Sequence, residues 1–321
     1  MIERGDIKIG LIGTIGQTLT ESILASNVAN YTFMPTTEIV RNAANTLRSQ
    51  GADIVALLSH DSWTSLSTEY NGILNPSDNN GKSYVDIVFS GHAHTKDQQM
   101  INGVPILQTQ GNGKQVMEVS VAIDPISKAI EIKNYKVSQD LVNMFPALLE
   151  DAKAKEIYEY YYWNHIKDIK EEVVGSLVGN LERYTTFGNL VVKTMFNAME
   201  DEGIVASIHN YGGIRSDILS GKVTYGDIYK ALPFDNDLVV LEVNGATLQN
   251  MMDGADNVAY STIAASALIS NQLYKVVTIS YLSEKLSSSL IYEQESTFVY
   301  VRDLVAELFR EQKTVKASDY R

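Results

Sequence analysis

At 321 residues, with 45% hydrophobic and 20% charged side chains, the chain has the composition of a folded globular protein and the length for two cores, which excludes intrinsic disorder. A formal charge of -13 leaves no Lys/Arg stripe to release counterions, so nucleic acid is excluded as a partner, while small phosphates stay open to individual arginines. Cysteine is absent, so neither a disulfide framework nor a thiolate metal site can form, and any ion must be held by His, Asp, Glu or Asn.

No stretch approaches about 18 consecutive apolar residues, and Met1–Gly10 has no apolar core behind a basic start, so neither an export signal nor a membrane segment is expected. Ile7 to Ile12 reads as a strand that begins almost at once. Glu38 to Ser49 carries Ile39, Ala43, Ala44 and Leu47 at helical spacing and is closed by Gly51. Asp53 to Leu58 and Asp86 to Phe89 are continuous apolar runs of buried-strand type. They end in Ser59-His60-Asp61 and in Ser90-Gly91-His92-Ala93-His94-Thr95. Pro105 to Gln108 and the alternating Val116 to Ile123 predict two more strands, giving a layered α/β domain over residues 1–135. Open α/β folds place their chemistry at the carboxyl ends of strands, and neutral imidazoles there are suitable ligands for zinc, manganese or iron. Taken singly, each of these histidines reads first as a hydrogen-bonded loop residue, and only the set together points to a metal.

Residues 136–173 form a charged linker with helical pattern and an aromatic patch at Tyr158 to Trp163. The last domain, 174–321, opens with Leu181-Glu-Arg-Tyr-Thr-Thr-Phe-Gly-Asn-Leu before a helix from Leu190 to Met199. Ile204 to Ile208 predicts a short buried strand ending at Asn210-Tyr-Gly-Gly-Ile-Arg215, where Gly212 and Gly213 permit positive φ and close approach of a ligand and Arg215 adds a planar donor fork. Leu232-Pro-Phe-Asp-Asn-Asp leaves Phe234 among polar neighbours, an odd place for a ring meant only for a core. The plain alternative is a Gly-Gly turn, a surface arginine and a phenylalanine folded inward. Strands at Leu238 to Val243 and Tyr274 to Ser280 and a terminal helix at Val301 to Glu311 complete the pattern.

The order Asn-x-Gly-Gly-x-Arg, then Thr224-Tyr-Gly-Asp, then Leu-Pro-Phe with Asn236, resembles the C-terminal substrate domain of the 5'-nucleotidase family. Ser59-His60 followed by Gly91-His92-x-His94 resembles the closing half of a calcineurin-like metallophosphoesterase domain, which precedes the substrate domain in that family. The resemblance implies divalent metal ions, zinc or manganese, held by His60, His92 and His94. It implies a nucleotide or nucleoside gripped by Arg183, Asn210, Gly212, Gly213 and Arg215 and stacked on Phe234 and Tyr281. The family's opening Asp-x-His, Gly-Asp-x-x-Asp and Gly-Asn-His-Glu motifs do not occur, and Asn164-His165 sits in a charged helical context. The expectation is therefore an N-terminally incomplete metal domain, inactive alone, with a separate N-terminal fragment as a partner. The alternatives are a non-catalytic binding remnant and a fragment unable to fold. Ser283-Glu-Lys-Leu-Ser287 stands where the family has Gly-Gly-Asp-Gly, which puts base or ribose recognition in question. Relatives of this kind are commonly secreted or surface-attached, which is all the resemblance implies about compartment.

Overall fold

The computed structural model describes residues 1–16, 23, 25–62, 67–127, 129–138 and 150–321, and the chain divides into two units, Met1–Leu149 and Glu150–Arg321. In the first unit the apolar runs become a six-stranded sheet of β1 (Ile2–Arg4), β2 (Ile7–Ile15), β3 (Ile54–His60), β4 (Ile87–Ser90), β5 (Asp97–Ile101) and β6 (Val104–Gln108), in the order β1-β2-β3-β4-β6-β5. β2, β3, β4 and β6 run parallel, and β1 and β5 fold back antiparallel at the two edges.

Parallel strands read as unbroken apolar runs because both faces are covered. On one face the helix Thr36–Ser49 brings Val40 and Ala44, and the following helix Ser67–Leu74 brings Tyr70, Ile73 and Leu74, against Leu57 and Val88. On the other, the hairpin of β7 (Met117–Ile123) and β8 (Ile130–Val137) lays Val119, Val121, Ile130 and Ile132 over Ile54, Ala56 and Ile87. Gly51, at φ +89, ends the first helix as its sequence position predicts. β5 and β8 were not expected: Asp-Gln-Gln-Met-Ile carries little apolar signal, and it is paired because the turn at Asn102-Gly103 returns it onto β6.

The second unit opens with the charged helical stretch, Ala152–Tyr161 running through a π-helical turn at Tyr162–Ile166 into Lys167–Lys170. Asp151 caps it by accepting the Ala154 N–H. Its aromatics pack on one another and under lysines: Tyr158 stacks on Tyr162, and Lys167 lies 4.5 Å over the Trp163 ring. Two sheets follow. Three strands, β9 (Val173–Val178), β11 (Gly221–Thr224) and β16 (Thr314–Lys316), are ordered β11-β9-β16. Five strands, β10 (Ala206–Asn210), β12 (Asp237–Asn244), β13 (Asn257–Ser261), β14 (Leu273–Ile279) and β15 (Ile291–Tyr300), are ordered β13-β10-β14-β12-β15.

The helices Gly188–Ala198 and Val301–Gln312 cover one face of the five-stranded sheet through Leu190, Val191, Met195, Val305 and Phe309. The helix Gly245–Met252 covers the other through Leu248 and Met251. The chain's last turn is tied back by the Asn189 amide, which donates to the Tyr320 carbonyl. Among the described residues no helix is long and apolar enough to cross a membrane.

Phe309 is fully buried between β9 and the helix Gly188–Ala198, so Phe309→Ala is expected to cost about 3–5 kcal/mol, whereas Leu219→Ala, at a 70% exposed position, should stay within about 0.5 kcal/mol. Urea denaturation followed by circular dichroism checks both.

Candidate functional site

The three expected metal ligands lie at strand ends in the first unit. β3 and β4 are parallel neighbours with Ser59 opposite Ser90, so His60, the last residue of β3, comes beside the turn that follows β4. Its ring meets that of His92 edge-on, with centroids 5.4 Å apart. His92 and His94 both have positive φ, +70 and +54, a conformation that costs a side-chain-bearing residue free energy and that clusters at functional turns. His94 packs on the backbone of Gly111, where a Cβ would fall 2.5 Å from the ring, so the Gln108–Gly113 loop lies against it. Burial first, and then the neighbouring His60 and His94, hold the His92 pKa below the ordinary imidazole value, against the opposing pull of Asp61. A neutral ring is the ligating form.

The set nevertheless does not close. Asp61 is fully buried and one carboxylate oxygen accepts the Ser62 N–H, while Asp97 accepts the Gln98 N–H. Among the described residues no three His, Cys, Asp or Glu side chains come together as ligands of an ion. Asn164, in the helical stretch of the second unit, donates to the Tyr160 carbonyl.

In the second unit, strand register assembles the polar site. β10 runs parallel to β14, with Ser207 opposite Val277, and β14 runs antiparallel to β12, with Ile279 opposite Leu238. The end of β10 at Asn210, the end of β14 just before Tyr281, and the start of β12 just after Phe234 therefore share one edge of the sheet. Asn210 is 7% exposed, and its Oδ1 is buried without a hydrogen-bond partner. Arg183 stands in the turn before the helix Gly188–Ala198. Its Nη2 donates to the Tyr211 carbonyl at 2.9 Å, its guanidinium lies 4.5 Å over the Tyr184 ring, and its buried Nε has no partner. Arg215 is exposed and donates from Nη1 to the Gly212 carbonyl at 3.2 Å. Its guanidinium carbon is 5.9 Å from the centre of the Phe234 ring, which is 48% exposed. Tyr281 carries the Lys285 ammonium 4.2 Å over its ring.

The two glycines differ from the sequence expectation in their reason. Neither Gly212 nor Gly213 has positive φ, and the pair forms a tight turn with Tyr211. They are glycines for lack of room: a Cβ on Gly213 would lie 2.6 Å from His209 Cε1, and one on Gly212 would lie 2.8 Å from the Asn210 amide nitrogen.

Three residues at this edge escaped the sequence reading. Arg302, 7% exposed, pairs with Asp235 at 2.7 Å and also donates to the Leu232 carbonyl, bracing the loop that presents Phe234. Asp256 accepts the Gly212 N–H. His209 is buried, its Nδ1 donating to the Asn210 carbonyl at 2.8 Å. Burial pushes its pKa down to about 4, against the opposing effects of that hydrogen bond and of Asp256. The alternation of β10 and the pairings of Asn210 with Asn257 and of Asp237 with Tyr300 bring these groups to the site, and none of them leaves a motif.

Both units are mixed α/β, as in solved 5'-nucleotidase structures. The chain superposes on the 5'-nucleotidase precursor of Thermus thermophilus with a TM-score of 0.66 at 20% identity, over 88% of this chain and 66% of that one. Residues 170–268 match the family model described as 5'-nucleotidase, C-terminal domain, a span that includes Arg183, Asn210, Gly212, Gly213, Arg215 and Phe234 but stops before Tyr281. The chain is 28% identical to endonuclease YhcR of Bacillus subtilis over 77% of its own length and 20% of the relative's. It is 22% identical to a probable 5'-nucleotidase of Treponema pallidum, over 79% of its length and 53% of the relative's. The likeness to the 5'-nucleotidase C-terminal domain is thus carried by residues 170–268, within the second unit. The chain spans from a fifth to about half the length of these two curated relatives.

The folded His209 stays neutral down to about pH 4 while the unfolded one protonates near 6.5, so the stability it contributes is complete above pH 6.5 and is lost as pH falls toward 4. Between pH 7 and 4.5 the unfolding free energy should fall by roughly 2–3 kcal/mol more in the wild type than in His209→Gln, read from urea titrations at the two pH values.

Proposed function

We propose that the second unit binds a nucleoside 5'-phosphate at the Asn210 edge of its five-stranded sheet. Arg183 and Arg215 grip the polar part, Asn210 and the Gly212–Gly213 turn meet the ligand at close range, and the base stacks on Phe234 and Tyr281. The observation that carries this reading is a buried acceptor, Asn210 Oδ1, and a buried donor, Arg183 Nε, both unpartnered and both set about Tyr211. A native fold rarely leaves such atoms unsatisfied away from a ligand or water. The exposed Phe234 beside an arginine supplies the stacking surface, and the relatives named for nucleotide hydrolysis support the ligand class.

Hydrolysis is proposed only for an assembly that adds metal ligands to this sequence, such as a separate fragment bearing the Asp-x-His and Asn-His motifs of the resemblance. His60, His92 and His94 do not by themselves fit a dinuclear zinc or manganese site, because no third ligand joins a pair of them among the described residues. The endonuclease relative favours a polynucleotide as a second ligand to examine, against which the charge of -13 stands.

Calorimetric titration of the full chain with AMP, adenosine and a short DNA oligonucleotide tests the ligand class. Phe234→Ala should weaken AMP and adenosine alike by about 1–3 kcal/mol, and equal affinities of variant and wild type would refute the stacking role. Arg215→Lys should weaken AMP by roughly 1.5–3 kcal/mol and leave adenosine nearly unchanged, since the planar fork is lost but not the charge.

The purified chain should show no appreciable hydrolysis of AMP or of an aryl phosphate with zinc, manganese or cobalt. Robust turnover that disappears in His92→Ala would show that the histidines work without added ligands.

A further inference from the structure

Both arginines of the proposed site hang on the same short piece of backbone, and one acid holds it. The Tyr211 carbonyl, which accepts Arg183 Nη2 at 2.9 Å, and the Gly212 N–H belong to a single planar peptide unit. On the far edge of that unit the Gly212 N–H donates to Asp256 Oδ2 at 3.2 Å. The next carbonyl, Gly212 O, accepts Arg215 Nη1. Asp256 also holds the preceding peptide, Asn210–Tyr211, from its own main chain, because its carbonyl accepts the Tyr211 N–H at 2.7 Å. Tyr211 is thus clamped at both of its flanking amides by one residue.

A peptide flanked by glycine turns over at low cost, and turning this one would take the carbonyl away from Arg183. A hydrogen bond from the amide to a carboxylate also polarises the unit and strengthens the carbonyl as an acceptor for the guanidinium. We infer that Asp256 is a positioning residue: through the Tyr211–Gly212 peptide its carboxylate sets where Arg183 and Arg215 present their charge. The consequence for binding rests on the nucleotide reading above, whereas the clamp itself does not. The sequence context, Asp253-Gly-Ala-Asp-Asn257, is a polar turn with no distinguishing motif. It acquires this role because β13 begins at Asn257 opposite Asn210.

The test compares Asp256→Ala and Asp256→Asn in the full chain by two measurements. One is amide hydrogen exchange of Gly212 in the ligand-free protein, and the other is calorimetric affinity for AMP and adenosine. An asparagine oxygen accepts the Gly212 N–H as a carboxylate does, so Asp256→Asn should keep the wild-type exchange rate and bind AMP within about twofold of wild type or more tightly. Asp256→Ala should accelerate Gly212 exchange and weaken AMP by about tenfold, with a smaller effect on adenosine, because the arginines serve the phosphate end.

Unchanged Gly212 exchange in Asp256→Ala overturns the inference. So does an asparagine variant as impaired as the alanine one, which would make charge rather than the hydrogen bond the operative property. If the wild type binds neither AMP nor adenosine, the nucleotide reading falls, and the Gly212 exchange rates still decide whether Asp256 holds the turn.

Discussion

Burying a strand that carries Ser207, His209 and Asn210 is the constraint on which the second unit depends. All five residues of β10 are buried, so each polar side chain on it needs a partner from its surroundings. Ser207 donates to the Val192 carbonyl, which pins the helix Gly188–Ala198 to the sheet, and Thr278 on the neighbouring strand donates to the Ile208 carbonyl. His209 donates to the Asn210 carbonyl, and burial keeps its ring neutral although that bond favours the charged form. Asn210 Oδ1 is left over at the strand end. The polar chemistry of the site is thus the residue of a packing problem solved everywhere else along the strand.

Charge is distributed in the same spirit. Arginines that brace the scaffold are paired with acids: Arg302 with Asp235, Arg310 with Glu172, Arg41 with Asp78. Arg183 and Arg215 are held instead by main-chain carbonyls, which orient a guanidinium without cancelling its charge. In a chain of net charge -13, that choice preserves local positive potential at one edge of one sheet.

How much of this could be read from sequence follows from which physical signals are local. Unbroken apolar runs located β3, β4 and β10, and a glycine after a periodic segment located the end of the first long helix. The motif order located Arg215 and Phe234 near one another, and their 5.9 Å approach agrees with that order. The glycines were found for a partly mistaken reason, since steric contact with His209 and Asn210 depends on side chains whose direction only the packed strand fixes. Asp256 and Arg302 were illegible because their partners lie 44 and 67 residues away and are brought to them by strand pairing. His60 and His92 were legible as strand-end residues, while the packing of His94 on Gly111 depends on how the Gln108–Gly113 loop folds back and was not.

β9 lies between β11 and β16, and the hydroxyl of Ser176 on β9 reaches the carbonyl of Lys313, 137 residues further along. A ribosome making this chain delivers β9 and the Arg183 turn long before β16, and contacts of such separation form late because loop closure must come first. Through that interval β9 has an open edge. The arginine turn leads into a helix whose Asn189 amide donates to the Tyr320 carbonyl 131 residues further along, so a part of the site made early gains this tie late.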